Sequence, residues 1–320
     1  MNFVAILAAL GLEQWRPCPW RPALERAFRS YAAALEHRFN GGTVGQGTAA
    51  TLLALLPWVL LAGLAWAAAA RVHPALGFVV NVVALYSLMG FRRFSHAVSA
   101  IIAALRTGDL TAARRTLAGW RGGWTADLSS QDVARLTIER GVVDAYREVF
   151  AVLFWFLVLP GPAGAVLYRL AALLVEEWRT EVPHGDVTPL ARDRGEFGRP
   201  ARTLLWLLDW VPVRLTALSF AVVGDFEDAV YCWRTQPAQW PLVEGGEPVG
   251  ILLASAGGAL GVELGGPIAT MSGEPEERPA MGMGDTADTD LLPSAVGLVW
   301  RALVLWLLLT LLLTLANWAP

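Results

Sequence analysis

Apolar residues in this chain come in long runs, and no strand alternation of useful length appears. A helix that crosses a bilayer core needs about 20 mostly apolar residues. Residues 48–70 and 298–318 meet that requirement clearly. Residues 74–91 are slightly short and contain Asn81; residues 204–224 qualify if Asp209 and Arg214 are tolerated. Residues 148–175 are long but interrupted by Pro160-Gly161-Pro162, which leaves two readings open: one broken span, or a re-entrant hairpin. The run 2–12 is too short to span, and it lacks an Arg-rich start and a small-residue cleavage site. It reads as a retained anchor or half-span.

The polar intervals between these runs read as helices and loops. In 92–147, apolar residues at helical spacing cover 94–105 and resume over 110–120, with breaks at Gly108-Asp109 and Gly122-Gly123. Asp127, Ser129 and Ser130 offer N-caps for a helix over 131–146. Residues 185–200 and 271–290 are the irregular loops. Arginine placement sets orientation: 13–47 carries five Arg and 92–147 nine, whereas the turn between the first two spans carries Arg71 alone. Both Arg-rich segments belong in the cytoplasm by the positive-inside rule. Segment 225–297 is cytoplasmic if 148–175 is one broken span and external if it is a re-entrant hairpin; its low Arg count, Arg234 and Arg278, favours outside, but loops of this length obey the rule poorly, so its side stays open. The expected fold is all-α, a polytopic integral membrane protein with about four to five transmembrane helices plus cytoplasmic helices. Its segments are 1–91, an anchor and two spans; 92–147, cytoplasmic helices; 148–224, a broken span, a loop and a span; 225–297, an extramembrane glycine-rich and acidic stretch; and 298–320, the last span.

Composition agrees, with 55% hydrophobic and 17% charged residues, mean hydropathy +0.46 and 15 Trp. Soluble domains carry about 25% charged residues, and indoles gather at lipid headgroups. Membrane lipid is the expected surrounding, and a homo-oligomer is compatible with the composition. The formal net charge of −3 argues against nucleic acid as a partner. There is no Lys, so every one of the 25 basic residues is Arg, and neither a P-loop Lys nor a Lys Schiff base can exist. Cys18 and Cys232 are isolated thiols, and the four His are scattered, which excludes a disulfide framework and makes a zinc site a poor reading.

The most informative segment runs from Gly257 to Pro267. Gly257, Gly261 and Gly265 are four apart and form one bare face if the segment is helical, either for packing against another helix or for a ligand. Gly266-Pro267 then breaks it. Gly258, Gly261, Glu263, Gly265 and Gly266 are the candidate substrate contacts. Asp209 and Arg214 join them, as ionisable residues inside or beside an apolar span; Pro212 could kink the helix and bring the two together as a pair. Asp144 and Glu148 share a helix face at a spacing of four, with Glu139 on the same helix. Asp285, Asp288 and Asp290 either ligate a cation or cap the last span.

These landmarks, in this order, resemble the CobD/CbiB family of integral membrane proteins from cobalamin biosynthesis. Gly258-Ala259-Leu260-Gly261 with Leu264-Gly265-Gly266-Pro267 resembles the family's C-terminal glycine signature, and Gly284-Asp285 with Asp288 and Asp290 its downstream acidic element. Asp109-Leu110, Ala113-Arg114 and Leu117 match its first cytoplasmic helix pair; Glu139, Leu153-Phe154, Tyr168, Pro212 and Arg214-Leu215 fall at matching places. Other positions depart from the family pattern. Trp124 stands where the family has Asp in a Gly-Arg-Asp-Thr element, and Leu205 and Trp206 stand where it has paired Asp. The segment 172–177 replaces an Asn-Thr-Leu-Asp-Ser-Met run, and a Gly-Asp-Pro near the N-terminus is missing. The stretch Leu208-Asp209-Trp210-Val211-Pro212-Val213-Arg214-Leu215 is similar to AmpE, an inner-membrane protein linked to cell-wall recycling and β-lactamase induction.

The first resemblance implies an ATP-dependent amide ligation of an aminopropanol, or its phosphate, to adenosylcobyric acid, with Mg²⁺ and ATP as cofactors and a corrinoid as substrate. Glu139 and Asp285 would then be catalytic, and Asp285 and Asp288 the metal ligands. The second implies a non-enzymatic sensory or modulator protein that kept the fold and lost the phosphate chemistry.

Overall fold

A computed structural model describes residues 2–178, 196–269 and 275–316. The N-terminal part comprises α1 (Asn2–Trp15), α2 (Arg21–Phe39), α3 (Val44–Val72) and α4 (Pro74–Leu88). Next come α5 (Phe91–Arg106), α6 (Leu110–Arg121) and α7 (Ser130–Ala145). A single π turn, Tyr146–Phe150, joins α7 to α8 (Ala151–Val158), followed by α9 (Ala163–Glu177), α10 (Arg199–Val223) and α11 (Phe226–Thr235). The chain ends with α12 (Gly246–Leu260), the strands β1 (Val262–Gly265), β2 (Ala280–Gly282) and β3 (Asp285–Thr286), and α13 (Leu291–Ala316).

The fold is helical, as the apolar runs require. Three helices, α3, α10 and α13, are long and apolar enough to cross a membrane. Each shows large apolar side chains outward, such as Leu60, Leu61 and Leu64 on α3, Leu207, Trp210 and Val222 on α10, and Leu312 and Leu313 on α13. Such surfaces suit lipid, not water. Helix α4, with 15 residues, is apolar but shorter than these and packs against α3. Residues 148–175 do not form one span: the chain breaks at 159–162, where Gly161 has φ +62°, and α9 packs back on α8. Gly164 lies so close to the Trp155 carbonyl that a Cβ would stand 2.1 Å from its oxygen. The hairpin is the form the chain takes.

Local signals explain the element starts. Asp109 caps α6 through the Ala112 N–H at 2.9 Å, and Ser129 with Asp132 forms a capping box on α7. Of the three candidate N-caps, Ser129 is the one used. The π turn sits in a continuous α7–α8 mast. Its extra residue per turn rotates the following face, and Asp144 and Glu148 pair with different cations. Asp144 pairs with Arg140 at 3.0 Å and accepts from Trp120 Nε1 at 2.9 Å, whereas Glu148 turns toward Arg21 and Arg169. Phe150 then packs on Phe220 of α10 and Trp306 of α13, at centroid separations of 6.1 and 5.5 Å.

The expected helix over the glycine signature is also corrected. Helix α12 ends at Leu260, because Gly261 takes a left-handed φ of +65° as its C-cap, and residues from Val262 onward form a strand. β1 lies between β2, antiparallel, and β3, parallel. Short strands of four, three and two residues carry too little alternation to stand out in sequence. Almost all of α12 is buried, and Gly257 and Gly258 serve close packing there. A Cβ on Gly258 would stand 2.5 Å from the Asp228 carbonyl oxygen, and one on Gly257 would stand 2.7 Å from the Gly282 Cα.

A second buried polar assembly locks the N-terminal helices to the mast. Arg169 of α9 reaches Glu25 at 2.7 Å and Glu148 at 3.1 Å; Arg21 of α2 reaches the same two carboxylates at 3.1 and 3.2 Å. Burial alone would push the Glu25 carboxyl up, but Arg169 and Arg21 overcome it and hold Glu25 below the ordinary carboxylate range. Removing one partner of a buried pair typically costs about 3–5 kcal/mol. Arg169→Met is therefore expected to destabilise the detergent-solubilised protein by about that amount in denaturant unfolding. A depressed carboxylate contributes stability above its unfolded value, about 4.3 for Glu, and loses it as pH falls through the folded value. The melting temperature should therefore drop on acidification below about pH 4, and by less in Glu25→Gln than in the unmodified protein.

Candidate active site

The strand that follows α12 delivers the second half of the glycine signature to α7. Gly265 and Gly266 both have left-handed φ, +74° and +73°, a conformation that favours glycine. Gly265 also lacks room: a Cβ would stand 2.1 Å from the Pro279 carbonyl oxygen. The turn is held by Glu139, whose Oε1 accepts from the Gly265 N–H at 2.8 Å. The same carboxylate takes Arg278 in a fork, at 3.0 Å on Oε2 and 3.2 Å on Oε1. Arg278 Nε donates to the Gly266 carbonyl at 3.1 Å, closing a ring of bonds around the turn.

Further groups converge on the same point. Arg278 also reaches Glu244 at 3.1 Å and lies over the Trp240 ring, 5.2 Å from its centroid. Arg135, one turn before Glu139 on α7, donates to the Gly265 carbonyl and, at 2.7 Å, to the Pro267 carbonyl. Arg121, at the end of α6, is pushed down to about 10 by burial, with Glu139, Arg278 and Glu244 all acting on its charge. Burial also disfavours the charged form of Arg278, but Glu139 and Glu244 more than offset it and raise it above the ordinary arginine value. The cluster thus holds three guanidiniums, Arg121, Arg135 and Arg278, against the carboxylates Glu139 and Glu244 and, paired with Arg135 at 2.9 Å, Asp132. Its formal charges balance, and its guanidinium donors suit phosphate or carboxylate oxygens.

Of the candidate residues, the structure brings together Glu139, Gly265 and Gly266. Gly258 is buried in α12 against α11, and Gly261 caps α12 with open space beside it. Glu263 lies on the exposed face of β1, opposite Val262 and Leu264. Asp209 is buried away from the glycine turn and accepts from the Tyr146 and Tyr168 hydroxyls at 2.6 and 2.8 Å. Arg214 does not pair with it; the kink expected from Pro212 leaves α10 continuous, and Arg214 bonds Glu247 at 3.3 Å and stacks on Trp210. Asp285 is exposed on β3, with its N–H bonded to the Gly261 carbonyl. Asp288 accepts from the Asp290 and Leu291 N–H groups at 2.9 and 3.0 Å, where it caps α13.

Arg278, Arg135, Trp240 and Glu244 went unread in the sequence. The available signal was Arg278 itself, one of two Arg in the Arg-poor stretch 225–297. The contacts also give a relative placement: 225–297 packs on α7 of 92–147. Among the described residues, no group of three or more His, Cys, Asp or Glu is gathered to hold a metal. Glu139 and Glu244 are engaged by Arg278, and the set does not fit a bare Mg²⁺ ion, which takes hard oxygen ligands in an octahedron.

Comparison with known proteins places this geometry in a family. The profile described as CobD/Cbib protein matches residues 6–299. A cobalamin biosynthesis protein CobD of Stutzerimonas stutzeri is 35% identical over 313 residues, covering 97% of this chain and 97% of that protein. One from Chromobacterium violaceum is 39% identical over 272 residues, covering 83% of this chain and 79% of that protein. One from Geobacter metallireducens is 28% identical and covers 82% and 80%. No solved structure matches the chain. By the extent of the profile match and of these identities, the chain belongs to the CobD/CbiB family of cobalamin biosynthesis.

Proposed function

We propose that this chain is an inner-membrane carbon–nitrogen ligase of the adenosylcobinamide-phosphate synthase type. It would join an aminopropanol, or its phosphate, to a carboxyl group of adenosylcobyric acid in an ATP-dependent reaction. The observation that carries the proposal is the clamp of Glu139 and Arg278 on the Gly265-Gly266 turn, in a chain of this family. Amide formation from a carboxylate needs its oxygen converted to a leaving group, and a phosphate leaves best where fixed positive charge meets it. Arg121, Arg135 and Arg278 supply that charge on a backbone held rigid by the clamp. Glu139, with both oxygens committed, positions the turn. Any Mg²⁺ would arrive on the nucleotide's phosphates, which ordinarily supply most of its protein-site contacts.

The clamp unites 225–297 with the Arg-rich segment 92–147, which the positive-inside rule assigns to the cytoplasm. This contact supports a cytoplasmic site with access to ATP over the external placement that a membrane re-entrant hairpin at 148–175 would imply. A second reading, a non-enzymatic AmpE-like modulator, is favoured by one set of residues: Trp124, Leu205 and Trp206 stand where the resemblance expects carboxylates, and Trp206 is an exposed side chain on a candidate span.

The test is complementation of a bacterial strain lacking its adenosylcobinamide-phosphate synthase, scored as growth that depends on corrinoid completion from cobyric acid. Rescue is expected, and it should be lost in Gly265→Leu, where the turn has no room for a side chain. No rescue by protein verified in the membrane would favour the modulator. Arg135→Met should lower ligation by about 10- to 100-fold, the worth of a charge-assisted hydrogen bond, when activity is measured on purified protein.

A further inference from the structure

Two buried polar atoms of the cluster are not used by the turn. Trp240 is 5% exposed, and its Nε1–H has no partner among the described residues. Glu244 has a side chain 9% exposed; one oxygen accepts from Arg278, and the other, Oε1, has no partner among the described residues. Buried donors and acceptors are nearly always satisfied, and a pair left open at one place calls for an explanation. Both residues lie against the same guanidinium, Arg278, and the Trp240 ring also borders Gly265. One acceptor that is anionic and one neutral donor, beside an aromatic ring, complement a small molecule with an ammonium at one end and an oxygen at the other.

We propose that Glu244 and Trp240 form the subsite for the amine substrate: Glu244 Oε1 accepts from its primary ammonium, and Trp240 Nε1–H donates to its hydroxyl or phosphate oxygen. This rests on the ligase reading. Glu139 cannot serve, because the Gly265 N–H and both arms of Arg278 occupy its oxygens. Arg135 Nε, also without a partner among the described residues, is available to a phosphate on the same molecule. Glu244 sits in the short turn Leu242–Glu244, which ends on Gly245 and Gly246, both left-handed, and whose Leu242 is 90% exposed.

The groups facing Glu244 are Arg278, Glu139 and Arg121. Burial pushes its carboxyl up, Glu139 adds to this, and Arg278 and Arg121 oppose it, leaving it raised. A raised carboxyl is the better proton acceptor. The bound ammonium passes one proton to Oε1. The freed nitrogen lone pair forms the C–N bond to the acyl-phosphate carbon. The C–O bond then breaks, its electrons leaving with phosphate, which takes the second nitrogen proton. The acyl phosphate comes from ATP and the corrin carboxylate.

The experiment uses the full chain in lipid nanodiscs. Calorimetry gives the Kd of 1-amino-2-propanol phosphate without ATP, and turnover with ATP and adenosylcobyric acid gives the KM of each substrate. Glu244→Gln and Trp240→Phe are each expected to weaken amine Kd and KM by about 10- to 100-fold, with the KM for adenosylcobyric acid unchanged; the melting temperature stays unchanged in Trp240→Phe and falls in Glu244→Gln, which loses its charge pairing with Arg278. The acid limb of kcat/KM for the amine should vanish in Glu244→Gln. If Glu244→Gln does not fold, Trp240→Phe, which keeps the ring over Arg278, decides alone. Unchanged amine affinity in the folded variants overturns the subsite and leaves the ligase reading intact. Amine binding that depends on both residues, without turnover in the parent protein, upholds the subsite and overturns the ligase reading.

Discussion

The fork between Glu139 and Arg278 is the contact on which the C-terminal half of this protein depends. A carboxylate and a guanidinium taken out of water are costly, and only complete hydrogen bonding with good geometry recovers the loss. Here both Glu139 oxygens are occupied, and Arg278 also bonds the Gly266 carbonyl. The turn at Gly265-Gly266 exists because those bonds fix its backbone and because no side chain stands in the way. Without the fork, β1 would keep only Arg135 as a side-chain tie to α7, and β2 would rest on α12 and on Gln236 at the end of α11.

The α7–α8 mast carries a second buried polar assembly on another face. Glu148 meets Arg21 and Arg169, which draw α2 and α9 onto the mast. Between the two assemblies, Asp209 of α10 is held by the Tyr146 and Tyr168 hydroxyls. The π turn makes this distribution possible. An ideal helix would put Asp144 and Glu148 on one face, where two carboxylates would compete for the same cations. The inserted residue sends them apart, and each finds its own partners. A bend of this kind is enriched at functional sites, and here it lies between the glycine turn and the N-terminal helices.

The long apolar runs made the helical membrane architecture legible, because a run of that length has few other uses. Helix starts were readable at Asp109 and Ser129, where local side chains do the capping. What stayed hidden was long-range. Gly257, Gly261 and Gly265 fit a helical period, yet a left-handed Gly261 stops the helix, and spacing alone does not distinguish a stripe from a cap. Glu139 and the Gly265-Gly266 turn were legible as candidates through the family resemblance. Their partner Arg278 was not, since it lies 139 residues from Glu139 in a stretch whose arginines were too few to draw attention. Asp209 and Arg214 stood out as ionisable residues near membrane depth, but each had partners on other helices that no local pattern announces. Helix α12 was read only at its end: the glycine spacing suggested a helix from Gly257 onward, whereas the helix runs Gly246–Leu260 and stops there.

The departures from the family pattern bear differently on the site once the geometry is known. Trp124 bonds Asp127 in the loop before α7, and Leu205 and Trp206 lie on α10, so none of the three is part of the fork. The losses therefore leave the Glu139–Arg278–glycine core untouched while removing acidic groups from elsewhere. A site that kept a full set of metal-binding carboxylates would be anionic and would need Mg²⁺ to approach phosphate. Here the guanidiniums of Arg121, Arg135 and Arg278 are set against Glu139, Glu244 and the Asp132 partner of Arg135, so the charges balance and the site is not anionic. Under the proposed ligase reading, charge balance, not the number of acids retained, is what lets phosphate approach this cluster.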